Sequence, residues 1–380
     1  MPYAEGRTYH DADSHLMELT DWLVRYADPD LRERIRPLYL GAAGALAAQS
    51  VADAEARRGD RYAAQALEDN LMGAKGWAAL GAFDPTERSR ALDLLGVQQQ
   101  LVFSTFAATQ FVGDDLDLLY GGTRAHNRAM ADFCSHDRRL IAVGLVPWGD
   151  AVRAETEARE AMRLGCGAIL VPSAPPKGRS PFHPDYHSFW ALLEDAGVPF
   201  MLHVGGGGRG LPSAFHKNGK PPTTDFLGGG ENLRSKDFMV IHYAPETFLS
   251  CMVLDGMFEK FPRLRGGCIE QGAMWVVPWL RRLDIAQQGF QKTEPALKLP
   301  LKASEYIRRQ VKFTPFASEP VGWMIEQAGA DLFLFSTDYP HPEGTRDPIG
   351  RFEASMAGVG DDARERFYSR NFAEMMGLAV

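Results

Sequence analysis

Two residues near the start of the chain, Asp13 and His15, are of types that bind divalent metals, and their spacing is suggestive. Side chains alternate along a β-strand, so residues two apart project from the same face. The preceding Arg7-Thr8-Tyr9 is β-prone, which predicts a short strand running into a core. The alternative is that Asp13 caps a helix starting at Glu18 and His15 packs against it. A pair of ligands does not make a site, so further donors are required.

Three more candidates stand at the ends of apolar runs. Pro199-Phe200-Met201-Leu202 delivers His203, and a buried imidazole needs a partner. Cys268-Ile269 is followed by Glu270, a residue type rarely buried without a partner. The run Leu332-Phe333-Leu334-Phe335-Ser336-Thr337 ends in Asp338, just before Tyr339-Pro340-His341. Asp338 could also cap a following helix. Together Asp13, His15, His203 and Asp338 form an oxygen and nitrogen donor set. Such a set suits one divalent ion, zinc first and manganese next, and the lack of thiolates argues against a closed structural zinc site. Glu270 is open to acid–base work if burial raises its pKa, or to a structural pairing. His242 is expected either to point into the site or to be an ordinary helix-entry residue. His341 is expected to contact substrate or to support Asp338. Arg209 is a candidate for a substrate carboxylate.

These residues need a frame, and the chain supplies a rhythm. Helical patterns over 126–137, 151–164, 186–196, 246–261, 273–288 and 321–328 alternate with apolar runs at 140–147, 167–172, 198–204, 264–269, 310–314 and 332–336. With strands at the N-terminus and over 97–103, this makes eight short strands, and 361–376 closes the chain as a helix. Continuous apolar strands indicate a sheet covered on both faces. Eight β–α units predict a (β/α)8 barrel, α/β in class, whose site lies at the C-terminal ends of the strands. A single domain over 1–380 is expected, with a helical insertion over 31–95 as a lid and a long loop after the fifth strand. The run Gly205-Gly206-Gly207-Gly208-Arg209-Gly210 contains G-x-G-x-x-G, but no amphipathic helix or ribose-binding acid follows, so a nucleotide site is rejected.

Totals exclude other classes. The formal net charge is -8 with 41 Lys and Arg against 49 Asp and Glu, so nucleic acid is not an expected partner. No apolar run approaches the ~20 residues of a membrane span, and no signal pattern is visible. The four cysteines lie far apart without C-x-x-C, which points to a reducing, cytoplasmic setting. A homodimer is expected as a prior.

The segments Asp11-Ala12-Asp13-Ser14-His15, Leu202-His203, Cys268-Ile269-Glu270-Gln271-Gly272-Ala273-Met274-Trp275 and Ser336-Thr337-Asp338-Tyr339-Pro340-His341-Pro342 resemble the amidohydrolase superfamily, in the amidohydrolase-related branch that includes aminocarboxymuconate-semialdehyde decarboxylase. The resemblance runs from residue 8 to 376 and is weakest over 31–95 and 206–240. It implies a barrel with a mononuclear divalent metal held by Asp13, His15, His203 and Asp338, the last also carrying a proton. Two departures stand out. The decarboxylase has His-x-His where this chain has Asp13 and His15, which hardens the site toward manganese. It carries a His where this chain has Glu270. The strand-six Glu tips the expectation to a hydrolase using metal-activated water on a small carboxylated or cyclic substrate. A non-oxidative decarboxylase of an aromatic or unsaturated acid stands next, and a non-catalytic binding barrel third.

Overall fold

The computed structural model describes residues 2–41, 43–109, 113–207, 210–221 and 234–378. Seven strands lie side by side in chain order, all parallel: β1 (His10–Leu16), β2 (Gln99–Ser104), β3 (Leu140–Leu145), β4 (Ala168–Leu170), β5 (Phe200–His203), β6 (Gly266–Ile269) and β7 (Val311–Phe313). The architecture is a curled parallel sheet with helices around it, an α/β fold of the TIM-barrel type.

The expected eighth strand is not a strand. Residues 332–339 touch the sheet by single bridges, Phe333 to Phe313 and Tyr339 to Ser14. The Ala12 amide donates to the Phe335 carbonyl at 3.0 Å, and the Leu334 amide to Phe313 at 2.9 Å. Regular pairing stops because the Phe335 amide donates to the Phe367 carbonyl (3.0 Å) in the closing helical segment instead.

Side chains separate into two layers. Ala12, Leu101, Phe103, Val143, Leu145, Met201, Ile269 and Leu334 meet inside the sheet, closed beneath by Phe372 and Met375. A larger cluster fills the space between sheet and helices. The helix Ala151–Leu164 shows how sequence sets this packing. Asp150 accepts the Arg153 amide at its start, and Gly165 (φ 104°) ends it. Its inner stripe is Ala154, Ala158 and Ala161, small enough to lie flat on β3. A Cβ on Gly144 would come within 3.2 Å of both Ala161 Cβ and Cys166 Sγ, so the close approach favours glycine there.

Other boundaries moved. In place of the alternative helix starting at Glu18 there is a short one, Trp22–Tyr26, so Glu18 begins no helix and Asp13 caps none. The helix expected over 246–261 is split into Tyr243–Leu254 and Met257–Lys260 at Gly256. The region 31–95 contains helices Ala43–Arg57, Arg61–Asp69 and Pro85–Leu95. It reaches the C-terminal ends of the strands through the Gly76 amide on the Pro340 carbonyl (2.8 Å) and the Tyr339 hydroxyl on the Leu80 carbonyl (2.6 Å). All four cysteines are free thiols, three of them buried. Among the described residues, no helix is long and apolar enough to cross a membrane.

Candidate metal centre and active site

β1 carries the first two donors because its pairing slips. The register with β2 shifts between Asp11 and Ser14, a bulge of the kind that re-aims side chains beside active sites. Ala12 and His15 are three residues apart, and strict alternation would send them to opposite faces. With the bulge, Ala12 packs in the interior and His15 still faces the cleft above it. Asp13 Oδ1 lies 3.3 Å from His15 Nε2, as the two-residue spacing predicted.

His203, the last residue of β5, brings its Nε2 to 3.4 Å from Asp13 Oδ1 and 3.3 Å from Glu270 Oε2. Its ring lies over Phe103 at 4.5 Å between centroids. Glu270 follows β6, and Asp338 ends the eighth segment. Both have φ of 54°, the left-handed region that non-glycine residues enter at a cost of about 1–3 kcal/mol. Such strain persists where surrounding bonds over-determine it. The Glu270 amide donates to Thr314 Oγ1 (2.8 Å), and the Asp338 amide to the Asp13 carbonyl (2.9 Å).

Two overlapping groups result. Asp13, His15, His203 and Glu270 offer donor atoms all within 4.8 Å of one another, and so do His15, Glu270, Asp338 and His341. The expected set therefore assembles with one change: Glu270 joins Asp13, His15 and His203, while Asp338 reaches them across His15 at 3.7 Å. His15 Nε2 is buried and makes no hydrogen bond, although carboxylate oxygens of Asp13, Asp338 and Glu270 lie 3.3, 3.7 and 3.9 Å away. Burial pulls the His15 pKa well below its ordinary value, with neighbouring His341 and His203 acting the same way and Asp338 opposing. A neutral buried imidazole facing three carboxylates is the donor chemistry a divalent cation requires, so these residues fit a metal.

The remaining candidates divide. His341 Nδ1 is 3.0 Å from Asp338 Oδ1, and its ring stacks on His15 at 3.7 Å, which fits the expected support of Asp338. His242 belongs to neither donor group. It precedes the helix Tyr243–Leu254, where its Nε2 is 3.7 Å from Glu246 Oε2 and its ring stacks on Trp275. That is the helix-entry alternative. Arg209 lies outside the described residues.

The sequence reading missed the bracing groups. Asp11 is fully buried and accepts from the Thr337 amide (2.9 Å), Thr337 Oγ1 (2.5 Å) and Gln100 Nε2 (2.8 Å), tying β1 to the eighth segment and to β2. Burial pushes its pKa up to about 7 against those bonds. Arg88, also fully buried, donates to the His15 carbonyl, to Gly81 O and to Gln100 Oε1. Lys75 donates to the Thr345 carbonyl (3.3 Å) and lies within electrostatic reach of Asp338. A usable signal existed for Asp11, the first acid of Asp11-Ala12-Asp13. Arg88 and Lys75 lie where the sequence pattern is least regular.

With this fold and donor set, the chain belongs to the amidohydrolase family, whose model matches residues 11–378, and it is an enzyme of that superfamily. Particular relatives sharpen the comparison. Gamma-resorcylate decarboxylase from Rhizobium sp. (strain MTP-10005) is 24% identical over 266 residues, 67% of this chain and 76% of the relative. An amidohydrolase from Mycobacterium avium subsp. paratuberculosis K-10 superposes with a TM-score of 0.74 at 20% identity, covering 98% of this chain and all of that one. A dihydroxybenzoic acid decarboxylase from Polaromonas sp. JS666, solved with manganese and 2-nitroresorcinol, superposes with a TM-score of 0.63 at 16% identity, covering 98% and 97%.

Proposed function

We propose that this chain is a metal-dependent, non-oxidative decarboxylase of a small aromatic carboxylic acid. The observation that carries the reading is the buried His15 Nε2, without a hydrogen bond and ringed by Asp13, Glu270 and Asp338, in a chain related to decarboxylases. The hydrolase expectation rested on Glu270 standing where the decarboxylase resemblance has a His. Glu270 lies with the metal donors, 3.3 Å from His203 Nε2, so it gives no separate support to hydrolysis.

Asp13, His15 and His203 would hold the ion, with Glu270 as the fourth donor. When bound, the metal supplies a positive centre for the substrate carboxylate and an adjacent oxygen. Manganese is favoured over zinc because half of these donors are carboxylates, and a similar fold binds manganese. Asp338 carries the proton on its carboxyl and delivers it to the ring carbon bearing the carboxylate. The carbon–carbon bond then breaks, its electron pair returns to the ring, and carbon dioxide leaves. His341 keeps the Asp338 carboxyl turned to the substrate. Residues 31–95 serve as the lid of an eight-unit barrel.

The test is direct. Protein loaded with manganese is assayed for carbon dioxide release from hydroxylated benzoic acids, beside a panel of lactones and amides. Release from at least one acid, lost on chelation and restored by manganese, is expected. Turnover of a lactone or amide with no carbon dioxide from any acid would overturn the reading.

A further inference from the structure

Behind Asp338 and His341 lies a set of bonds that begins at Glu18. Its carboxylate is fully buried and receives three successive backbone amides: Thr105 (3.1 Å), Phe106 (3.0 and 3.2 Å) and Ala107 (2.9 Å). These residues directly follow β2, so one carboxylate shapes the turn at that strand end. Trp77, from the insertion, seals it: its ring stacks on Phe106 at 5.4 Å, and its Nε1 donates to the Glu18 carbonyl at 3.1 Å.

The turn delivers the Thr105 hydroxyl between two strong partners, with the Met17 sulfur, a weak acceptor, 3.6 Å away. Thr105 Oγ1 is 2.9 Å from the Leu16 carbonyl oxygen and 3.0 Å from His341 Nε2. A hydroxyl has one hydrogen, and a carbonyl oxygen can only accept. Were the hydrogen turned to His341, two oxygen lone pairs would face each other at 2.9 Å. The hydrogen therefore goes to Leu16, and the hydroxyl oxygen accepts from His341. That requires a hydrogen on Nε2, and it leaves Nδ1 of the neutral ring as a bare acceptor 3.0 Å from Asp338 Oδ1, which suits an Asp338 carboxyl that carries its own hydrogen.

We propose that Thr105 and Glu18 are positioning residues for the reaction: Glu18 shapes the turn, and Thr105 fixes the plane of His341 with a hydrogen on its Nε2, so that Nδ1 orients the Asp338 carboxyl. The inference rests on the reading of Asp338 as the proton carrier. Stacking of His341 on His15 at 3.7 Å adds a second restraint on the same ring plane. Neither Thr105 nor Glu18 belongs to a metal-donor group.

Thr105→Val keeps the shape and removes the hydroxyl, whereas Thr105→Ser keeps the hydroxyl. Histidine-15N-labelled, zinc-loaded protein, diamagnetic and with His341 assigned through His341→Gln, gives the protonation pattern of the ring by long-range proton–nitrogen correlation. A hydrogen on Nε2 is expected in the unaltered protein and in Thr105→Ser, with a changed His341 nitrogen pair in Thr105→Val. With manganese and a substrate acid, Thr105→Val should lower kcat roughly 10–100-fold with KM little changed, the range seen when groups supporting site residues are lost, and Thr105→Ser should restore most of it. Glu18→Gln exchanges one acceptor oxygen for a donor; faster hydrogen exchange at amides 105–107 and the same His341 change are expected. A bare Nε2 in the unaltered protein, or a Thr105→Val variant with unchanged His341 signals and kcat, would overturn the proposal. Unchanged His341 signals in Glu18→Gln would overturn its Glu18 half. If no acid releases carbon dioxide, the decarboxylase reading falls, while the nitrogen spectra still decide the role of Thr105.

Discussion

Glu270 and Asp338 share a backbone conformation, a position just past the sheet and a distance of less than 4 Å from His15 Nε2, yet their surroundings differ. Glu270 Oε2 faces two imidazole Nε2 atoms, those of His203 and His15. Asp338 Oδ1 faces His15 Nε2 on one side and His341 Nδ1 on the other, and His341 is itself held by Thr105. The first arrangement is that of a metal ligand among ligands. The second is that of a carboxyl whose Oδ1 stands between His15 and an imidazole braced from outside the donor groups, which suits the proton delivery proposed for it. On the proposed reading, two acids with the same φ take different work from what stands behind them.

The largest effect expected from this contrast belongs to Asp338. Asp338→Asn keeps the shape and removes the transferable proton, and kcat should fall by roughly 10²–10⁴-fold, the usual worth of a positioned acid or base. Asparagine tolerates the left-handed region well, so the metal-free variant should be at least as stable as the unaltered protein in urea. Near-normal turnover would remove the proton role, and a large loss of stability would show that Asp338 is a structural brace. The effect next in size concerns Glu270. Glu270→Gln should weaken manganese binding by roughly 10–100-fold, read by competition with a chelator, while saturating manganese restores much of kcat. Unchanged affinity with a collapsed kcat would exchange the roles of the two acids.

The contrast was half legible in the sequence. Asp13, His15, His203, Glu270 and Asp338 were readable because strand ends are where apolar periodicity stops and a polar residue must have a purpose. The parallel sheet was readable from continuous apolar runs between amphipathic helices. The division of labour proposed for Glu270 and Asp338 was not, since it depends on distances of 3–4 Å between groups as far apart in the chain as His15 and Asp338. Glu18 was invisible for a different reason. Its partners are backbone amides, which every sequence has, and its place after Leu16 and Met17 reads equally well as a helix start. The eighth strand was overread: its composition is that of a strand, but the amide of Phe335 is taken by Phe367. Arg209 stayed a candidate without a test, being outside the described residues.

The smallest effect tests whether the β2 flank, which stands behind Asp338, is built as tightly as its bonds suggest. His126 is buried under the end of β2, with Nε2 2.8 Å from Ser104 Oγ and Nδ1 2.9 Å from Asn127 Oδ1. Burial pushes its pKa down to about 4 from an ordinary 6.5, so the fold prefers the neutral ring. The unfolded chain takes up the proton first as pH falls, and stability present above 6.5 is lost between 6.5 and about 4. At pH 5 the loss relative to neutrality is on the order of 2 kcal/mol for this one group. His126→Gln lacks the titrating ring, so the stability gap between unaltered protein and variant in urea should narrow from pH 7.5 to pH 5. Hydrogen exchange should then quicken over 99–107 before 266–270. A gap independent of pH would mean that His126 titrates alike in both states. Equal exchange over both segments would mean that the flank behind Asp338 is no more sensitive to its buried histidine than the flank behind Glu270, and the contrast between the two acids would rest on their contacts alone.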